Sequence, residues 1–288
     1  VEYKMDGAYW EEKNINISEA VKAGQNVDVI LAFVGENTYT EKPGDLNDLS
    51  LSQNQQNLIK ALAQTGKPIV MVLNEGRPRT FPDIEPLVDA VVQTYLPGTF
   101  GGEVTADILF GKTNPSGKLP YTYPKHPNSL MNYDYKPAEN RTEMEGAYNY
   151  GAVQDLQYGF GHGLSYTTFE YSDLKVDKAE FTPSDNLTFS VDITNTGDRP
   201  GKESVLLFSS DLYASITPDN RRLRGFKKIE LQPGETKTVQ IKVKASDLAF
   251  VNTDGKWVLE EGAFKVQVGS EVVMINAIQG GQWTKATK

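Results

Sequence analysis

Val27–Leu51 reads VDVILAFVGENTYTEKPGDLNDLSL. An apolar, β-branched run from Val27 to Val34 stops at Gly35, and the carboxylates Glu36, Glu41, Asp45 and Asp48 follow it. Such a run predicts a parallel-sheet strand buried on both faces. Open α/β sheets carry out their chemistry just beyond the carboxyl ends of such strands. Carboxylates gathered there can bind a metal, cap the next helix or move protons. Their spacing lacks the alternating D-x-D-x-D-G form of a calcium loop, so no metal site is expected. Asp45 and Asp48 read as turn or helix N-terminal residues before Ser52. Glu36 and Glu41 are the candidates for proton chemistry, with a merely solvated loop as the alternative.

Working outward, strand-like and helix-like segments alternate. Ser18 is expected to cap a short helix, and Ser52–Gln64 reads as a helix with Leu58, Ile59 and Leu62 on one face. Pro68–Leu73 (PIVMVL) is a second buried-type strand and Ala90–Tyr95 (AVVQTY) a third. Pro82–Leu87 predicts a short helix, and Gly102–Phe110 another after Gly101-Gly102. Strands separated by helices imply right-handed crossovers and a parallel sheet, so residues 1–125 are expected to form an α/β domain. Leu96–Pro120 is dense in Gly and Pro but has no lysine in the frame of a phosphate loop.

From Tyr123 to Tyr158 this periodicity fades. Residues 126–164 read as a Tyr-rich linker, with Tyr133, Tyr135, Tyr148 and Tyr150 either packing it down or stacking on sugar rings. From Thr167 the pattern changes to short alternating strands and turns, as in Leu187–Ile193 (LTFSVDI), Val205–Phe208, Thr236–Val243 and Ala263–Val268. Residues 165–288 are therefore expected to form an all-β sandwich.

With 288 residues there is room for two cores. A formal net charge of −9 argues against nucleic acid or an anionic membrane as partner. No apolar run approaches the roughly 20 residues that span a bilayer. Cysteine is absent and His126 and His162 are the only histidines. Disulfides, thiolate chemistry, Ser-His-Asp sites and multi-histidine metal centres are thereby disfavoured. His162, in GFGHGLSY, reads as structural. Val1–Trp10 has no signal-peptide pattern, and the chain reads as a piece of something longer.

Four segments carry a family likeness: GENTYTEKPGDLNDLSLSQNQQNLI, GKPIVMVLNEGRPR, LPGTFGGEVTADILFGKTNPSGKLPYTYP and YGFGHGLSYTTFEYSDL. With the tail LRGFKKIELQPGE…SDLAFVNTDGKWVLEEGAFKVQVG, the chain resembles the C-terminal portion of glycoside hydrolase family 3. The resemblance implies a partly parallel αβα sandwich, incomplete at its N-terminus, followed by a fibronectin-type-III-like β-sandwich. In the family these follow a TIM-like barrel that carries the nucleophilic aspartate, and no residue here matches it. The acid/base glutamate lies on a loop of the α/β domain, two residues after a tyrosine. It maps to Glu41 in Tyr39-Thr40-Glu41, with Glu36 as second choice. One departure is His162, where the family often has tyrosine.

The implied activity is hydrolysis of terminal β-D-glucosyl residues by a retaining exo-β-glucosidase, with β-xylosidase the alternative sugar preference. A β-glucoside or gluco-oligosaccharide and the barrel are the implied partners, and a homodimer is compatible. No cofactor, metal, nucleic acid or membrane is expected, the chain alone is expected to be inactive, and the substrate class implies a periplasmic or secreted location. The competing class is a non-catalytic carbohydrate-binding or scaffolding module.

Overall fold

The computed structural model describes residues 2–6, 9–13, 16–37, 39, 44–129, 131–136 and 156–283, the first two stretches by backbone alone. These fall into two compact units. One holds the described residues up to 110 with 123–129 and 156–158; the other holds 111–122, 131–136 and 159–283.

In the first unit, β1 (Glu2–Asp6) and β2 (Tyr9–Lys13) form an antiparallel hairpin. Helix α1 (Ile17–Gly24) follows, then β3 (Ile30–Gly35), α2 (Gln53–Ala63), β4 (Ile69–Asn74), β5 (Ala90–Gln93) and α3 (Gly101–Leu109). Short strands β6 (Tyr123–Pro124) and β7 (Leu156–Tyr158) pair antiparallel. Strands β3, β4 and β5 form a parallel sheet in that order, with Ile30 opposite Ile69 and Val70 opposite Ala90. This is the α/β layer that the alternating segments predict.

Three expectations are corrected. Asn16, not Ser18, caps α1: its Oδ1 accepts the Glu19 N–H at 3.2 Å, the geometry of an N-cap bonding its third helical residue. Strand β3 is not buried on both faces. Among the described strands it stands at the edge of the sheet, with Ile30, Ala32 and Val34 buried while Leu31 and Phe33 on the other face are 42% and 61% exposed. The central strand β4, with Met71, Val72 and Leu73 all buried, has the doubly covered character expected of β3. The predicted helix at Pro82–Leu87 is a single 3-10 turn, Glu85–Leu87.

In the second unit a three-stranded sheet, ordered β13–β10–β8, comprises β8 (Phe169–Val176), β10 (Asn186–Asn195) and β13 (Thr236–Lys244). A five-stranded sheet is ordered β12–β11–β16–β17–β9. Its strands are β9 (Glu180–Phe181), β11 (Gly201–Asp211), β12 (Arg222–Leu231), β16 (Gly262–Val268) and β17 (Glu271–Ala277). A small sheet of β14 (Phe250–Val251), β15 (Trp257–Leu259) and β18 (Gly281–Trp283) completes it. Alternate residues of both large sheets meet in one core, among them Phe189, Val191 and Ile193 of β10 and Phe264, Val266 and Val268 of β16. Each such side chain contributes about 1.5–3 kcal/mol on burial.

Two polar devices fix this sandwich. Asn195, fully buried at the end of β10, accepts from Thr167 Oγ1 at 2.6 Å and Gly197 N at 3.1 Å. Its Nδ2 donates to the carbonyls of Arg199 at 2.7 Å and Leu231 at 3.1 Å, tying β10 to the end of β12 in the other sheet. The second device joins two segments that carry the family likeness, NPSGKLP and GFGHGLSY, side by side. Leu119 N donates to His162 O and Gly161 N to Leu119 O, both at 2.8 Å. Asn114 accepts from Ser165 Oγ and Tyr166 N while donating to Pro200 O at 2.9 Å, before β11. His162 contributes through its backbone, and burial pushes its imidazole below the ordinary value. Tyr133 stacks on Phe160 at 4.4 Å, a packing role; Tyr148 and Tyr150 lie outside the described residues.

Asn195→Ala should leave the Arg199 and Leu231 carbonyls without that donor and lower stability by about 2–4 kcal/mol. Thermal unfolding reads this as a clear fall in Tm; an unchanged Tm would show the network to be dispensable.

Candidate active-site loop

Parallel register builds this site. With Gly35 opposite Asn74, the chain leaving β3 as Glu36 runs beside the chain leaving β4 as Glu75-Gly76-Arg77-Pro78-Arg79. Gly35 makes the close approach available: its φ is +141° and a side chain there would meet the Asn74 carbonyl at 2.1 Å. The two ends are then bonded to each other, Glu36 N donating to Asn74 O at 2.9 Å. Gln55 of α2 grips the backbone of Gly35 from the other side, accepting from its N at 2.7 Å and donating to its O at 3.0 Å.

Glu36 is the hub. Its side chain is only 3% exposed and accepts from the backbone of Gly76 and Arg77 and from the guanidinium groups of Arg77 and Arg79. Oε2 takes the N–H of Gly76 at 3.2 Å and of Arg77 at 3.3 Å. Oε1 takes Arg77 Nε at 2.9 Å, Arg77 Nη2 at 2.7 Å and Arg79 Nη1 at 3.2 Å. Charge-assisted, multidentate pairing of this kind is the strong form of hydrogen bonding, and it holds a nearly dry carboxylate in one place.

The same two arginines reach along the loop. Arg77 Nη1 donates to Gly44 O, and its guanidinium lies 3.9 Å from the centre of the Tyr39 ring. Tyr39 hydrogen-bonds Glu36, and burial together with the Glu36 charge pushes its phenol above the ordinary value. Arg79 Nη2 donates to Ser50 O at 2.6 Å, where Ser50 and Thr80 form a parallel bridge. Asp48 accepts from Ser50 N at 2.7 Å, a turn role that holds its carboxyl below the usual range; Asp45 is exposed. Ser52 caps α2, accepting from Gln55 N at 3.3 Å. Glu41, the first candidate for acid/base chemistry, lies outside the described residues.

A second carboxyl, absent from the sequence-based candidates, sits beneath this clamp. Glu75 is fully buried. Tyr123 Oη lies 2.6 Å from Glu75 Oε1 and 2.7 Å from the Arg79 carbonyl. The phenol's one proton faces both acceptors, and Glu75 Oε1 accepts from Arg79 N at 3.3 Å and Gln93 Nε2 at 3.4 Å as well. Burial pushes Glu75 from 4.5 up to about 7, against the downward pull of its hydrogen bonds from Tyr123, Arg79 and Gln93. Phe81 and Tyr158 pack edge-on against the Tyr123 ring at 5.6 and 5.9 Å, shielding the pair from water. The motif NEGRPR directly after a buried strand was the available signal for Glu75, Arg77 and Arg79.

Among the described residues, no three His, Cys, Asp or Glu side chains gather to hold a metal ion, and no helix is long and apolar enough to cross a membrane.

An acidic loop braced at the end of a parallel α/β layer, joined in one chain to a β-sandwich, agrees with the sequence comparisons. Residues 6–166 match the glycosyl hydrolase family 3 C-terminal domain, and residues 203–272 match a fibronectin type III-like domain. The chain belongs to glycoside hydrolase family 3 and corresponds to its C-terminal part. It is 39% identical to a lysosomal beta glucosidase of Dictyostelium discoideum, over 89% of this chain and 31% of that protein. It is 37% identical to a beta-xylosidase of Formosa agariphila, over 88% of this chain and 35% of that protein. The crystal structure of a beta-glucosidase from Listeria innocua in complex with glucose superposes with a TM-score of 0.83 at 31% identity, covering 93% of this chain and 39% of that one. The chain thus spans about a third of the length of these curated relatives.

The Glu75 pair makes a signed prediction. Below pH 4.5 the carboxyl is neutral in both folded and unfolded chains. Between 4.5 and about 7 the unfolded chain gives up its proton while the folded one keeps it. Stability is therefore lost as pH rises through this window, by about 3 kcal/mol above it. Glu75→Gln, which is neutral at every pH and keeps an oxygen that accepts from Tyr123, should remove that loss, so its Tm advantage over the parent grows with pH. Parallel Tm-versus-pH curves for the two proteins would refute the assignment.

Proposed function

We propose that this chain supplies the general acid/base of a retaining exo-acting β-glycosidase. Glu41 is the proton donor, terminal β-D-glucosyl residues are the substrate, and the nucleophilic aspartate lies on a TIM-like barrel outside this chain. The observation that favours Glu41 over Glu36 is the engagement of Glu36, whose two oxygens are committed to Arg77, Arg79 and Gly76. A carboxyl held in that way has no free oxygen to offer a glycosidic bond. Glu41 follows in the same loop, at the position that the family resemblance assigns to the acid/base. The glucoside preference rests on the β-glucosidases among its relatives, and the similarly identical xylosidase keeps pentosides as a second specificity to test.

A retaining mechanism holds two carboxyl groups about 5–5.5 Å apart. Glu41 protonates the leaving oxygen as the aspartate attacks the anomeric carbon, forming the glycosyl-enzyme. It then takes a proton from the water that releases the sugar. Its acidity must be reduced for the first step, by desolvation or by the neighbouring carboxylate, and docking of the loop over the barrel supplies both.

The purified chain alone is expected to hydrolyse no aryl β-glucoside; turnover abolished by Glu41→Gln would overturn the division of labour. In the enzyme with its barrel, Glu41→Ala should cut kcat/KM about 10²–10⁴-fold for substrates with poor leaving groups. It should spare dinitrophenyl glucosides, and azide should raise kcat on the latter by replacing water in the second step. Equal loss on both classes would make Glu41 structural.

A further inference from the structure

The inward-facing row of β11 changes character where the sandwich core ends. Val205 and Leu207 are core residues, and Ser209 and Asp211 continue the same face as polar ones. Beside them β12 carries a β-bulge. Gly225 lies opposite Leu207 and Leu223 opposite Phe208, so Arg224 is the extra residue. A bulge re-aims the side chain it inserts. Arg224 Nε donates to Ser209 Oγ at 2.7 Å, and its Nη1 donates to the Asp247 carbonyl. Burial, with the Arg222 charge alongside, pushes its pKa down to about 10. Asp211 accepts from Tyr213 N at 3.1 Å, and burial pushes its carboxyl above the usual range. The Arg224 charge acts on Asp211, yet among the described residues neither side chain forms an ion pair.

Arg224 and Asp211 line one cavity of about 40 Å³, together with Ser209 and the apolar Ile216, Pro218 and Phe250. Asp219 on the same wall is already neutralised, by Lys136 at 2.5 Å and by Arg222. A cavity of this size takes about three water-sized groups at roughly 10–15 Å³ each. That is room for the hydroxyls along one edge of a sugar, not for its ring. The two unpaired side chains select the chemistry. A guanidinium only donates and an ionised carboxylate only accepts. An anion in the cavity meets Asp211, and a cation meets Arg224. A hydroxyl donates and accepts at once, so adjacent hydroxyls satisfy both. Apolar walls with a few convergent polar groups are the ordinary make-up of a small-ligand site.

We propose that this cavity is an accessory sugar-binding site on the β-sandwich, with Arg224 donating to and Asp211 accepting from adjacent hydroxyls of a glycan. The choice of a glycan among hydroxyl-bearing ligands rests on the glycosidase reading above. The site itself uses neither Glu41 nor the barrel.

The test is native electrophoresis of the enzyme with its barrel through gels containing soluble mixed-linkage β-glucan or arabinoxylan. An exo-acting site engages only chain ends, which are scarce in a polymer, so retardation reports binding along the chain. Retardation by one of the two polymers is expected, with a dissociation constant in the millimolar range. Asp211→Asn, which keeps the shape and exchanges an accepting oxygen for a donor, should weaken it about fivefold or more, the worth of one hydrogen bond. Arg224→Met should do the same, with Tm reporting the fold; Asp211→Asn carries the test if that variant fails to fold. Crystals soaked in glucose or xylose should show a hydroxyl between Arg224 and Asp211. No retardation by either polymer, or retardation untouched by Asp211→Asn, would overturn the proposal. Sugar seen in soaked crystals without retardation is binding at crystal concentration only and overturns it too, as does water alone in the cavity. Retardation that depends on Asp211, found alongside a Glu41→Gln enzyme indifferent to leaving group, would leave this site standing while the acid/base reading fell.

Discussion

The Glu36 carboxylate, bonded at once by two arginines and two backbone amides, is the interaction on which the rest of the α/β unit's working end depends. Two adjacent parallel strands end side by side, and each hands over to a charged segment. Brought together dry and unpaired, those charges would cost several kcal/mol each. Paired in this geometry they become a fixed joint. Arg77 reaches Tyr39 and Gly44 on one side, and Arg79 reaches Ser50, before α2, on the other.

Beneath the joint lies its buried counterpart. Glu75 follows β4 as Glu36 follows β3, yet the two carboxyls behave in opposite ways. Glu36 receives cationic donors and is held by charge. Glu75 is bonded by a phenol and by the Gln93 amide, and burial favours its neutral form. The Glu36 charge nearby adds to the burial that raises its pKa. One end of one sheet therefore holds two carboxyls that differ in their partners, one bonded by two guanidinium groups and one buried with its pKa raised.

Much of this was legible in the chain. The apolar runs marked β3, β4 and β5, and the change from helical to alternating periodicity marked the β-sandwich. The failures have identifiable causes. Strand β3 and strand β4 are equally apolar in sequence, so nothing local says that β3 lies at an edge with Phe33 exposed. Asn16 and Ser18 are both good cap residues, and only the geometry of the Glu19 amide chooses between them. Glu75 stands in a Glu-Gly-Arg-Pro context that reads as a polar turn; its burial follows from Tyr123, 48 residues away in sequence. The arginine clamp likewise appears only once the β3–β4 register is known. For Glu41 the family resemblance, rather than any pattern of spacing, singles out the residue, and the engagement of Glu36 supplies the physical reason to prefer it.

The central claim is that Glu36 is a fastening and Glu41 the proton donor. The most direct measurement is a crystal structure of the enzyme with its barrel, bound to a thio-linked gluco-disaccharide that cannot be cleaved. The account predicts the Glu41 carboxyl within hydrogen-bonding reach of the interglycosidic sulfur, with Glu36 still held by Arg77 and Arg79. Glu36 released from the arginines and turned toward that sulfur, with Glu41 pointing elsewhere, would contradict it.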